Sequence, residues 1–140
     1  MTTPPLAEVP IRSAQELTER WAAVLEPPVF SARSLWLMWL DHEGVMLPVV
    51  LPVDDIPPVP EGGMLEGLRQ LHNGIAEERL GEGGHVAMAL CRPGRPRATK
   101  DDNAWADGLR EALGELPVGQ TWSLHLAAGG SVTPLVELPA

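Results

Sequence analysis

The stretch His85-Val-Ala-Met-Ala-Leu-Cys91-Arg-Pro-Gly-Arg-Pro-Arg-Ala-Thr99-Lys-Asp-Asp102 decides the fold. The six residues after the opening histidine are apolar on both alternating faces, the pattern of a strand covered on both sides of a sheet. Two prolines and a glycine then break the chain, and Thr99 offers a side-chain oxygen where a helix would begin. Trp105, Leu109, Ala112 and Leu113 follow at helical spacing, and Gly114 stands where a left-handed C-cap belongs. The next apolar run, Thr121 to Ala127, reads as another strand. A strand, a crossover helix and a strand in that order predict parallel strands with a right-handed connection.

Working outward gives the remaining elements. Ser13-Ala-Gln-Glu16 is a capping box, Leu17, Trp21, Val24 and Leu25 form a helical stripe, and Pro27-Pro28 ends it. Ser34 to Leu40 is a second two-sided apolar strand. Asp41 to Gly44 supplies a turn, and Val45 to Leu51 returns as a strand that Pro48 assigns to an edge or a bulge. Pro52 to Gly63 is expected to be irregular. Met64, Leu68, Leu71 and Ile75 predict a helix from about Met64 to Ala76. Gly81 to Gly84 breaks the chain, Gly129-Gly130 is a tight turn, and Val132 to Val136 closes the series.

The predicted order is α-β-β-α-β-α-β-β. It implies one α/β domain over residues 11–138, after a proline-rich tail at 1–10, with a mixed sheet and helices on both faces. The second, third and fourth strands should run parallel.

The 140 residues are 44% hydrophobic, as in a globular domain with its own core. No apolar run is long enough to span a membrane, and Met1 to Pro10 lacks the basic end and apolar core of a signal peptide. A cytoplasmic address is expected. Nineteen acids against ten bases give a net charge of −9, which argues against binding nucleic acid or anionic lipid. The lone cysteine, Cys91, excludes an internal disulfide. No cofactor or metal is expected.

Against that charge the segment after the third strand reverses sign, because Arg92, Arg95, Arg97 and Lys100 fall within nine positions. One sharp reading is catalytic. Cys91 and Arg97 are six apart, the spacing with which cysteine-dependent phosphatases place a thiolate and an arginine around a phosphate. That chemistry also needs a cradle of inward N–H groups, and Pro93 and Pro96 have none. The plain reading of Cys91 is a buried strand-end residue.

The run Leu90-Cys-Arg-Pro-Gly, followed by Thr99-x-x-Asp102, resembles the JAB/MPN family, in particular its RadC-like domains. Pro93, Thr99 and Asp102 fall close to that family's proline, serine and aspartate. Leu90 and Arg92 stand where its zinc-binding histidines would be, and the loop is one residue shorter. The resemblance covers roughly Leu35 to Ala127 and implies a degenerate, non-catalytic relative without the metal. Helix capping accounts for Thr99 and Asp102 without it. The chain also resembles short bacterial proteins from high-GC genomes, a likeness that implies no activity.

The four histidines, His42, His72, His85 and His125, do not cluster in sequence. His85 and His125 become neighbours only if their strands pair. Trp36 and Trp39 lie on opposite faces of one strand, Trp21, Trp105 and Trp122 occupy core positions, and Asp54-Asp55 reads as solvated. The expected function is a non-enzymatic interaction or regulatory domain. Its basic loop (Arg92, Arg95, Arg97, Lys100) would bind an acidic protein partner or a second copy. A small hydrolase using Cys91 and Arg97, or a metal, is the alternative.

Overall fold

The computed structural model describes residues 9–80, 83–114, 116 and 119–138. Three helices and five strands follow one another in the expected order: α1 (Ala14–Val24), β1 (Ser34–Leu40), β2 (Met46–Asp54), α2 (Gly62–Ile75), β3 (His85–Cys91), α3 (Lys100–Ala112), β4 (Thr121–Ala128) and β5 (Ser131–Val136). The expected tail falls largely on residues 1–8, outside the described residues. Its last two positions are tied in, since Arg20 Nη2 donates to the Val9 carbonyl at 2.7 Å and Ile11, just beyond, is buried.

The strands form one sheet in the order β2-β1-β3-β4-β5. Only β3 and β4 are bonded in parallel; the other three pairs are antiparallel. Strands β2, β3 and β4 therefore share a direction as expected, but β1 lies between β2 and β3. β1, β3 and β4 are the interior strands, and β1 and β3 bury apolar residues in both core layers. β2 and β5 form the edges, where Pro48, Pro52 and Pro134 cost no ladder bond on the solvent side.

The alternation of β1 and β3 divides the core into two layers. Leu35, Leu37 and Trp39 with Val86, Met88 and Leu90 face α2 and α3, meeting Leu68, Trp105, Leu109 and Leu113. Met38 and Leu40 with Ala87, Ala89 and Cys91 face α1, meeting Leu17, Trp21 and Leu25. The small side chains of β3 on this second face let a single helix seat closely through its buried Trp21. Trp122 is half-buried at the rim of the first layer.

Several boundaries differ from expectation. β2 continues through Pro52 to Asp54, because its pairing with β1 extends to Ser34 opposite Asp54. α2 begins at Gly62 and passes into a π-helical turn, Ala76–Leu80, which carries Ala76 and Leu80 into the core. Gly114 is not left-handed; α3 ends instead with Leu113 N–H bonding the Leu109 carbonyl at 2.8 Å. Gly44 takes positive φ (83°) in the β1–β2 turn, and Gly129 (55°) and Gly130 (87°) take it together, the combination that a two-residue hairpin loop requires. No helix among the described residues is long and apolar enough to cross a membrane.

Candidate functional site: the loop between β3 and α3

Three connections meet where β3 and β4 end. The α1–β1 connection is joined to the β4–β5 turn by Gly130 N–H bonding the Pro28 carbonyl at 3.1 Å. That turn abuts the β3–α3 loop: a Cβ on Gly129 would stand 2.7 Å from Pro96 Cδ and 3.0 Å from the Gly94 carbonyl oxygen. Only glycine permits so close an approach at this φ. The loop is also tied to β4 by Arg92 N–H, which bonds the Ala127 carbonyl at 3.2 Å.

The interior of the loop is filled by Arg92. This side chain was expected to face a partner, yet the residue is only 3% exposed. Its Nε donates to Asp102 Oδ1 at 2.8 Å and its Nη2 to Asp102 Oδ2 at 2.7 Å, a two-pronged ion pair. Nη1 donates to the carbonyls of Pro93 (2.9 Å) and Arg95 (3.1 Å), and Nη2 also to that of Arg97 (2.9 Å). All five guanidinium N–H groups are thus engaged. Gly94, at φ 100°, passes so close to Nη1 that a Cβ there would lie 3.2 Å away.

Asp102 links this arrangement to α3. Its Oδ2 accepts the Thr99 N–H at 2.9 Å while its own N–H bonds Thr99 Oγ1 at 3.2 Å, a complete capping box. Burial alone would raise the Asp102 carboxyl, but hydrogen bonds from Arg92 and Thr99 outweigh it and hold the pKa below its ordinary value. Those same bonds to Asp102 hold the Arg92 guanidinium above its usual value.

The loop therefore turns carbonyl oxygens inward, onto a cation. A phosphate cradle requires the opposite polarity, with N–H groups converging on an anion. Cys91 lies under the loop with its thiol on the α1 face, fully buried. Burial pushes it up to about 12, opposed only by a hydrogen bond from Ser34. Arg97 is exposed on the outer surface, so the catalytic spacing of Cys91 and Arg97 does not bring the two together around one cavity.

What the loop offers outward is charge. Residues 93–100 are all exposed, and Arg95, Arg97 and Lys100 make no ion pair or side-chain hydrogen bond with any described residue. The loop's own interior bonds hold these three cations on a fixed backbone.

The histidines serve packing. His85 lies opposite Thr121, and Ala89 opposite His125, so the two rings share a face but are offset by four residues. His85 bonds Thr121 Oγ1 and Ser123 Oγ, both at 2.7 Å. His125 Nε2 lies 2.8 Å from Thr18 Oγ1, whose proton goes to the Ala14 carbonyl, so His125 is the donor there. On the opposite face His72 Nδ1 accepts from Trp39 Nε1 at 3.1 Å and its Nε2–H donates to Gln120 Oε1 at 3.0 Å. His42 is exposed beside Glu43. Asp54 and Asp55 are both exposed. Among the described residues no three His, Cys, Asp or Glu side chains are grouped as metal ligands.

No sequence rule signals the Arg92–Asp102 pair, since its partners are ten residues apart across a loop. The capping box placed Asp102 at the start of α3 but said nothing of its burial or of a cation partner.

No protein-family model matches the chain, and no curated protein matches it.

Proposed function

We propose that the chain is a non-enzymatic interaction domain whose β3–α3 loop binds an acidic partner surface through Arg95, Arg97 and Lys100. The observation that carries this reading is the division of labour among the loop's cations. Arg92 spends every donor on holding the loop, while the other three stand exposed and unpaired in a chain of net charge −9. A pre-formed loop loses little conformational freedom on binding, and guanidinium groups suit carboxylate geometry.

The likeness to RadC-like JAB/MPN domains fits a non-catalytic role. In that resemblance Asp102 falls close to the family's aspartate, and here it is committed to Arg92. Leu90 offers no ligand and lies in the α2–α3 core, and a guanidinium repels a cation, so these residues do not suit zinc. The reading places the domain in the cytoplasm, with a protein partner or a second copy of the chain.

The test is charge reversal of Arg95, Arg97 and Lys100 to glutamate, leaving Arg92 intact so that the fold is spared. Pull-down and sedimentation at low and moderate salt should show loss of a bound protein or of self-association. Unchanged co-purification and unchanged sedimentation in a normally folded variant would sink the proposal. So would one equivalent of protein-bound zinc after purification without a histidine tag.

A further inference from the structure

Val29 is 63% exposed, the highest value among the exposed large hydrophobic side chains of the described residues. A single exposed valine is ordinary on a protein surface. Its setting is what distinguishes this one. Its N–H bonds the Pro27 carbonyl at 2.8 Å, and the carbonyl before it, that of Pro28, accepts from Gly130 at 3.1 Å. Phe30 on its other side packs into the α1-side core. The backbone under Val29 is therefore anchored on both sides, and its side chain is held out in solvent.

That position adjoins the basic loop. Pro28 is bonded to Gly130, and the neighbouring Gly129 sits against Pro96 and Gly94, the residues on either side of Arg95. An aliphatic contact and unpaired guanidinium groups thus share one end of the molecule on fixed backbone. Acids are also present, with Glu26 exposed on the Val29 connection and Asp101 half-buried in the first turn of α3. They set the direction of binding, since negative groups of a partner gain toward Arg95 and Arg97 and are repelled toward Glu26.

We propose that this three-loop surface accepts a short acidic peptide segment carrying an aliphatic side chain, with carboxylates on Arg95 and Arg97 and the aliphatic group on Val29. The inference rests on the loop reading above and adds a second requirement to it. Nucleic acid fits less well, because a valine offers no stacking face for a base.

The experiment uses a fluorescent synthetic peptide of alternating glutamate and leucine, and its counterpart with serine in place of leucine. Anisotropy titrations are run on wild type, Val29→Ser and the Arg95→Glu/Arg97→Glu double variant. Wild type should prefer the leucine peptide by about threefold to tenfold, the scale of one partly buried aliphatic contact. Val29→Ser should erase that preference while the double variant loses both peptides. An equal affinity of wild type for the two peptides, or a leucine preference that survives Val29→Ser, overturns the aliphatic contact. The charge reading then still stands if the double variant fails to bind. Failure of both peptides to bind wild type, or tighter binding of a labelled single-stranded oligonucleotide, overturns the proposal outright. Binding unaffected by charge reversal removes the loop reading with it.

Discussion

Arg92 and Asp102 meet side-on, two donors to two oxygens at 2.8 and 2.7 Å, with their side chains 4% and 0% exposed. The pair connects the end of β3 to the first turn of α3 and closes the loop between them. Because water cannot replace either partner, removing one leaves a buried charge uncompensated.

Asp102→Ala should therefore destabilise the domain by about 3–5 kcal/mol. The melting temperature should drop by roughly 10 °C or more. Freed of its fastening, the loop should also be cut faster by trypsin after Arg97. A thermal scan and a timed digest check both effects. A melting point within about 2 °C of wild type would show that the pair does not hold the loop.

Three buried histidines make stability depend on pH. Burial pushes His85 down to about 4, helped by the nearby His125 and His72, and burial alone takes His125 to about 4. His72 is lowered as well, by burial against an opposing hydrogen bond to Gln120. In the unfolded chain these groups titrate near 6.5, so between 6.5 and 4 the unfolded state takes up protons that the native state refuses. Stability is present above 6.5 and is lost as pH falls, at about 1.4 kcal/mol per pH unit per histidine. From His85 and His125 the unfolding free energy at pH 5 should be roughly 2–4 kcal/mol below that at pH 7. Urea titrations at the two values measure it, and a flat profile would refute the neutral, buried assignment.

Cys91 should behave as a core side chain. A thiol pushed up to about 12 is almost entirely protonated at neutral pH, and the residue has no exposed surface. Alkylation by iodoacetamide should be slow in the native protein and accelerate sharply in denaturant. Cys91→Ser should cost about 1–3 kcal/mol, because the hydroxyl is desolvated beside Ala89 and Ala127. Rapid native-state labelling would restore Cys91 as a nucleophile.

The sequence by itself determined the elements and their order, because the signals are local. The helix stripe at Leu17, Trp21 and Leu25 and the capping oxygens of Ser13 and Thr99 act within a few residues. So do the proline stops and the two-sided apolar runs of β1 and β3. Pro48 likewise narrowed β2 to an edge or a bulged strand. Long-range pairing decided the rest. It carried β2 on to Asp54, placed β1 between β2 and β3, and offset His85 from His125 by four residues. Above all, tertiary structure sorted four arginine and lysine side chains that look alike in sequence. Arg92 turned inward because Asp102 and three loop carbonyls converge on it, so that burial leaves none of its donors unpaired. Arg95, Arg97 and Lys100 have no such acceptors and stay in water, since an unpaired buried charge costs far more than an exposed one.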